Sequence, residues 1–279
     1  MAADSPLITI TTDFGTQDAY VPAMKGTMLS IAPDARLVDV THEISPQDVM
    51  ESAFVLQSIL PFFPSNSIHL VVVDPGVGTE RRAVALRHGD DWFVGPDNGL
   101  FPLAFNGDPP DAAVQLDEPD AWRTPSPSNT FHGRDIFAPA AAHLAAGRPL
   151  EAIGSPVENL KQLQWAQPFV DGEAIEGRVV HVDHFGNCVT NVRRSTVAGI
   201  LDLGDTAAIP APLSPVEGYV GSTVLDAIHA TYGAVAEGEP LLLFGSTDLL
   251  EVAVNGGNAA ELLDIRQGDS IKIVFPESP

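Results

Sequence analysis

The chain has 279 residues, 44% of them hydrophobic, and a formal charge of −23 from 37 acids against 14 bases. That length supports a sizeable core and roughly two domains, while the charge opposes binding to nucleic acid or to an anionic membrane. No run of about 18 apolar residues is present, so no transmembrane span is expected. The first residues, Met1 to Pro6, lack a basic and an apolar signal region, and the lone Cys188 cannot close an internal disulfide. A cytoplasmic protein is therefore expected. The scattered acids imply a solvated acidic surface, with a halophilic source as one cause and an acidic binding partner as another.

In chain order, Leu7 to Thr12 alternates apolar and β-branched polar residues and predicts a strand ending at Asp13-Phe14-Gly15. Helical spacing covers Tyr20 to Ile31, and Leu37 to Val40 forms a short strand before Thr41-His42. A helix is expected from Asp48 to Leu60, with Ser45 or Gln47 near its cap and Pro61 at its exit. A strand is expected from Ile68 to Val73, and its apolar run Val71-Val72-Val73 stops abruptly at Asp74-Pro75-Gly76-Val77-Gly78-Thr79-Glu80-Arg81-Arg82. Such a strand delivers its last polar residue to a sheet rim, where open α/β sheets bind ligands. Two more strands, Ala83 to Leu86 and Trp92 to Val94, are linked through Gly89-Asp90-Asp91, and a turn-rich loop at Gly95 to Leu100 follows. Residues 108–129 read as surface covering, and Ile136 to Ala146 as an alanine-rich helix closed by Gly147.

This alternation predicts an α/β domain with a largely parallel sheet over residues 1–165. Residues 155–171 read as a linker. Beyond it, residues 166–279 show closely spaced strands at 175–183, 207–209, 239–244, 249–254 and 270–275, with a helix-like piece at 222–232. That pattern predicts an all-β barrel or sandwich.

Several motifs carry chemistry. A carboxylate beside a guanidinium, as Asp74 and Arg81 are expected to be, stays ionised and oriented and can polarise water; the same pair also fits an ordinary salt-bridged turn. Gly76-x-Gly78 lacks the lysine-serine ending of a phosphate loop. His132, just ahead of a helix, suits proton shuttling or a simple hydrogen-bonded loop. Asp13 can accept from a ribose diol or merely form a turn. The group Asp183-His184-Phe185-Gly186-Asn187 can hold an ammonium and an adenine edge, or form a polar turn. No second histidine sits at ligand spacing there, so no metal site is expected. Cys188 lies in an apolar strand context and is expected to be inert.

Together these motifs, with Thr12-Asp13-Phe14-Gly15, Val40-Thr41-His42, Pro96-Asp97-Asn98-Gly99, Phe131-His132-Gly133-Arg134-Asp135 and Ala253-Val254-Asn255, run in order over nearly the whole chain. The sequence resembles the S-adenosylmethionine-dependent adenosyltransferases of the fluorinase, chlorinase and hydroxide adenosyltransferase superfamily. The resemblance implies an α/β first domain and a C-terminal β-barrel domain that completes the substrate site. It also implies a homotrimer, with the site formed by the first domain of one subunit and the second domain of its neighbour. Halogenases carry a tyrosine at the position of Asp74, and the fluorinase a serine at that of Gly133. The implied activity is thus hydrolysis of S-adenosyl-L-methionine at C5′ by water or hydroxide, giving adenosine and L-methionine, with S-adenosyl-L-methionine as substrate and no separate cofactor.

On that basis Asp74, Arg81 and His132 are the expected catalytic residues, with Arg82 competing for the role of Arg81 on spacing alone. Asp13 would hold the ribose, Asp183 and Ser246 the amino acid group, and Asn187 the adenine, helped by backbone near Val254 and Gly256. Phe131 and Tyr232 would pack on the adenosyl group. Thr247 stands where the fluorinase has an arginine, which leaves the partner of the methionine carboxylate open. The alternatives are a halide-using relative, a metal-dependent phosphoesterase using Asp13, Asp74, His132 and Asp183, and a non-catalytic nucleoside binder.

Overall fold

The computed structural model describes residues 5–203, 209 and 211–275, which divide into two compact units, Met1–Leu163 and Gln164–Pro279. The first unit is built on strands β1 (Leu7–Thr12), β2 (Arg36–Thr41), β3 (Ile68–Val72), β4 (Ala83–His88), β5 (Asp91–Pro96), β6 (Ala112–Gln115) and β7 (Ser155–Pro156). They form one sheet in the order β2-β1-β3-β5-β4-β6-β7. The β2-β1-β3-β5 half is parallel, and the β5-β4-β6-β7 half is antiparallel. The sheet is therefore mixed, and the expected parallel order holds for the half that carries β1 and β3. Within the antiparallel half, the β4–β5 pair follows from the tight Gly89-Asp90 turn, where Gly89 has φ +60° and His88 pairs with Asp91. A two-residue turn can join only antiparallel neighbours.

Helices α1 (Tyr20–Ile31), α2 (Val49–Ile59), α3 (Leu100–Ala104) and α4 (Ala138–Ala145) cover the sheet. On one face Met24 and Met28 of α1 and Ala141 of α4 meet Ile8, Ile10, Leu70 and Val72. On the other, Ala53 and Leu56 of α2 and Phe101 meet Val71, Val84 and Phe93. Side chains alternate along a strand, so Leu70 and Val72 serve one core and Val71 the other. That double burial is why Leu70 to Val73 read as an unbroken apolar run.

Three local expectations are corrected. The cap of α2 is Asp48, whose carboxylate accepts from Glu51 N at 2.8 Å; Gln47 instead sits at φ +69°. Residues 108–129 do more than cover the surface, because Ala113 and Val114 of β6 are buried against β4. The alanine-rich helix begins earlier than expected, with a π-helical turn over Gly133–Phe137. Such turns insert one residue into a helix and are frequent at functional sites.

The second unit contains β8 (Phe169–Asp171), β9 (Ala174–Val182), β10 (Cys188–Arg193), β11 (Glu217–Val220), β12 (Thr223–Leu225), β13 (Ile228–His229), β14 (Pro240–Phe244), β15 (Leu249–Val254) and β16 (Ser270–Val274). Their path is β12-β11-β16-β9-β10-β15-β14-β13, with β8 beside β9. Among the described residues this path is open and does not close into a full barrel. Two short helices, α5 (Arg194–Ile200) and α6 (Ala259–Leu262), also pack on it, so the unit is strand-rich but not all-β. Ile175, Val179, Val192, Leu242, Val252 and Ile271 form its core.

The expected helical piece at 222–232 is instead β12, β13 and a single 3₁₀ turn at Tyr232–Ala234. Its β-branched Thr223, Val224 and Ile228 favour extended backbone. The strand expected at 207–209 falls largely outside the described residues. No helix among the described residues is long and apolar enough to cross a membrane.

One side chain couples this framework to the rim. Asn98, 7% exposed, donates to Val73 O at 2.9 Å and accepts from Leu100 N at 3.2 Å. It thereby pins the end of β3 next to Asp74. Asn98→Ala leaves a buried carbonyl unpaired and is expected to cost about 1–3 kcal/mol, read as a lower urea midpoint at unchanged m-value.

Candidate active site

The loop after β3 folds back on itself. Val77 N donates to Asp74 O at 3.2 Å, and Thr79 N and Oγ1 donate to Gly76 O at 3.2 and 2.7 Å. This return brings Arg81 over Asp74. Arg81 Nε donates to Asp74 Oδ1 at 2.8 Å, and Nη2 donates to Oδ2, completing a two-pronged ion pair. Both side chains are largely buried, with 6% and 9% of their surfaces exposed. The glycines serve this geometry. An added Cβ at Gly76 would lie 2.9 Å from Arg81 Cγ. One at Gly78, already at φ +75°, would lie 2.4 Å from Asn129 O. The motif is thus a hairpin that lets a guanidinium lie against a carboxylate.

Arg81 Nη2 also lies 3.0 Å from His132 Nδ1. Arginine has only donors, so the contact requires an unprotonated Nδ1, and the neutral ring then carries its proton on Nε2. Burial pushes the His132 pKa below 6.5, and the Arg81 charge pushes it further, against the opposing charges of Asp74 and Asp135. The Phe137 ring lies against Arg81, 5.1 Å from its guanidinium carbon.

Asp135, 1% exposed, fixes the segment that presents His132. It accepts from Arg134 Nε and Nη2 at 2.7 and 2.8 Å, from Arg123 Nε at 2.6 Å and from Ser128 N at 2.9 Å. The Arg134 hydrogen bonds, followed by that from Arg123, hold its carboxyl well below the usual carboxylate range. Sequence reasoning quoted Asp135 only as part of a motif; its role as the anchor of the loop is a tertiary result.

Arg82 points elsewhere. It donates to Asp97 Oδ2 through Nε at 2.8 Å and Nη2 at 2.5 Å, and to Asn159 O at 2.6 Å. It staples the Pro96-Asp97-Asn98-Gly99 loop, so Arg81 is the arginine that meets Asp74.

Asp13 accepts from Gln47 N at 2.8 Å through Oδ2. Burial raises its pKa, the Gln47 hydrogen bond opposes this, and the charge of Asp74 adds to the rise. The two carboxylates thus sense one another on the rim. Behind Asp13, Thr12 Oγ1 lies 2.8 Å from His42 Nδ1 and accepts from Phe14 N at 3.3 Å. Phe131 packs edge-on against Phe14 and Tyr20, at 5.8 and 5.1 Å between ring centroids. A Cβ at Gly133 would sit 3.2 Å from Met24 Sδ and the Phe131 ring, and 3.3 Å from Phe14.

In the second unit, all six expected residues line a single open cleft of about 860 Å³: Asp183, Asn187, Tyr232, Ser246, Val254 and Gly256. Asp183 is committed to its own turn. It accepts from Phe185 N and Asn187 N at 2.9 and 2.8 Å through Oδ1, and from Asn187 Nδ2 at 2.9 Å through Oδ2. Phe185, 73% exposed, stands at the cleft as an uncovered ring. The Thr247 hydroxyl is buried without a hydrogen-bond partner among the described residues.

One cleft residue escaped the sequence reading. Glu251 lies in the middle of β15, only 8% exposed, and accepts from the Tyr232 hydroxyl at 3.1 Å. Burial, then the charge of Glu251, pushes the Tyr232 phenol up to about 12. The available signal was an acid inside the apolar run Leu249-Leu250-Glu251-Val252-Ala253-Val254. Cys188 is buried, with its thiol pushed up to about 11 by burial first, so it is a poor nucleophile. Among the described residues no three His, Cys, Asp or Glu side chains are grouped as a metal-ligand set.

Comparison with known proteins gives a consistent picture. A family model described as the SAM hydroxide adenosyltransferase N-terminal domain matches residues 8–154. Its C-terminal counterpart matches residues 177–272. The (R)-S-adenosyl-L-methionine hydrolase of Thermus thermophilus is 41% identical, over 94% of this chain and 97% of that protein. That of Salinispora tropica is 42% identical, over 97% and 98%. A fluorinase from an Actinoplanes species is 29% identical over 98% of each. The crystal structure of an uncharacterized conserved protein from Thermotoga maritima superposes with a TM-score of 0.85 at 35% identity, covering 96% of this chain and all of that one.

The Arg81–His132 contact has a direct spectroscopic consequence. His132 is expected to titrate below 6.5, and Arg81→Ala to move that titration upward, because a repelling charge is removed while Asp74 stays. Histidine ring-proton NMR across pH 4–8 checks both shifts.

Proposed function

The chain belongs to the SAM hydroxide adenosyltransferase family, and from that premise we propose that it hydrolyses S-adenosyl-L-methionine at C5′ to adenosine and L-methionine. The observation that carries this reading is the two-pronged Asp74–Arg81 pair with His132 on the same guanidinium. Attack by water forms the C5′–O bond as the C5′–S bond breaks. The sulfur leaves with the bonding electrons as a neutral thioether, so the leaving group needs no proton. The burden falls on the nucleophile, because water is weak and hydroxide scarce near neutral pH.

Arg81 fixes Asp74 in place. Its two bonds leave lone pairs on both carboxylate oxygens to accept from the attacking water. As the bond forms, that water becomes strongly acidic and Asp74 takes its proton. His132, with Nδ1 turned to Arg81, offers an Nε2–H that orients the water oxygen. It serves as a positioner and not as the initial base.

The same reading assigns Asp13 to the ribose hydroxyls and Phe131 to the adenosyl face. Asp183 and Ser246 go to the amino acid group, Asn187, Val254 and Gly256 to the adenine, and Tyr232 to packing on it. Asn187 keeps its amide oxygen for an amino group, since its Nδ2 donates to Asp183. S-adenosyl-L-methionine is the substrate, with no resident cofactor. Family resemblance supports a homotrimer, and the buried lone Cys188 suits a reducing cytoplasm.

Asp74 also weighs against the halide alternative, since a fixed carboxylate repels an attacking anion. The guanidinium held against it repels a cation, which disfavours the metal-dependent phosphoesterase. A non-catalytic binder would release no adenosine.

The decisive experiment is incubation with S-adenosyl-L-methionine in oxygen-labelled water, followed by mass analysis of the adenosine. One labelled oxygen per adenosine is expected, unchanged by added chloride. Asp74→Asn is expected to lower kcat by about 10²- to 10⁴-fold with binding retained, whereas Asp13→Ala weakens binding. Wild-type turnover in Asp74→Asn refutes the proposed activation of water.

A further inference from the structure

We propose that Glu251, rather than Asp183 alone, receives the substrate's α-ammonium group, and that this carboxylate makes the cleft selective for an aminated ligand. The inference rests on the S-adenosyl-L-methionine reading above and deepens it.

The argument starts from hydrogen-bond capacity. A carboxylate offers about four lone-pair sites. Asp183 spends three on Phe185 N, Asn187 N and Asn187 Nδ2. Its geometry is that of a turn-former, with one site left for a ligand. Glu251 is the reverse case. Its hydrogen-bond partner among the described residues is Tyr232, through Oε2, and Oε1 has none. Yet the residue is more than nine-tenths buried and lines the cleft. A buried carboxylate without a cation is costly, and nature retains such a group where a ligand completes it.

The surroundings select the charge of that ligand. None of the described side chains lining the cleft is basic. The nearby Arg194 lies over the Phe244 ring at 4.5 Å and donates to Asp248 Oδ1 at 2.8 Å, so it is already engaged. Two carboxylates and no cation attract a positively charged group and repel an anion.

The backbone is also cut to fit Glu251. A Cβ at Gly245 would fall 1.7 Å from Glu251 Oε1 and 2.5 Å from its Cδ. Gly245 therefore leaves the space that the carboxylate occupies, directly beside Ser246. Tyr232 holds the other oxygen, so the group is oriented before any ligand arrives.

The test is equilibrium titration calorimetry on the wild type, Glu251→Gln and Tyr232→Phe. The ligands are S-adenosyl-L-homocysteine, whose neutral thioether lacks the sulfonium leaving group and so is not turned over, and its analogue lacking the α-amino group. Wild type is expected to prefer the aminated ligand by on the order of 30-fold or more. Glu251→Gln is expected to lose most of that preference, by weakening binding of the aminated ligand while affinity for the other stays near wild type. Tyr232→Phe, which keeps the carboxylate, is expected to retain the preference. A Glu251→Gln protein that binds the deaminated analogue as wild type does is folded at the cleft. If it also keeps the full preference, the proposal is overturned. If the variant fails to bind either ligand, the wild type and Tyr232→Phe decide instead: no preference in the wild type, or its loss in Tyr232→Phe, overturns it. Failure of the parent reading is separate, since it shows as absence of adenosine from wild type.

Discussion

Arg81 is the hinge of the cluster it forms with Asp74 and His132. A guanidinium offers five donors in a fixed plane, so it can hold a carboxylate by two bonds and still reach a third acceptor. Here Asp74 takes the fork and His132 Nδ1 takes a remaining N–H. One cation thus sets the orientation of the acid, the tautomer of the imidazole and the distance between them. A lysine would supply the charge without the planar geometry that does all three.

Much of the surrounding sequence exists to make that placement possible. Gly76 and Gly78 leave room for the return of Arg81 over the strand end. Asn98 and Arg82 fix the neighbouring loop that abuts the end of β3. Asp135 gathers two arginines and a backbone N–H to shape the His132 segment. Two consecutive arginines point to different carboxylates, Arg81 to Asp74 and Arg82 to Asp97. One meets Asp74 and His132, and the other fixes the Pro96-Asp97-Asn98-Gly99 loop.

The second unit solves a different problem. Its cleft is acidic, lacks basic lining among the described residues, and contains a carboxylate sunk in a strand. Burying an acid there costs stability. The cost is tolerable because Tyr232 satisfies one oxygen and a cationic ligand suits the other. Gly245, with no side chain, leaves the space that the Glu251 carboxylate fills.

What the sequence by itself determined is the chemical inventory and its order along the chain. Strand periodicity placed β1, β3, β9, β14 and β15, and the motif set identified Asp13, Asp74, His132, Asp183 and Asn187, because alternation and turn residues are local signals. The parallel half of the first sheet was legible for the same reason, while the antiparallel pairing of β6 with β4 and β7 was not. Tertiary structure alone decided which of Arg81 and Arg82 meets Asp74, since adjacent identical residues carry no sequence distinction and only the fold gives them different partners. It alone showed Asp183 to be largely spent on its own turn and Glu251 to be buried with an open oxygen. An acid in an apolar strand reads the same on paper whether it faces solvent or a cleft, and its meaning is fixed only by the neighbours that folding brings to it.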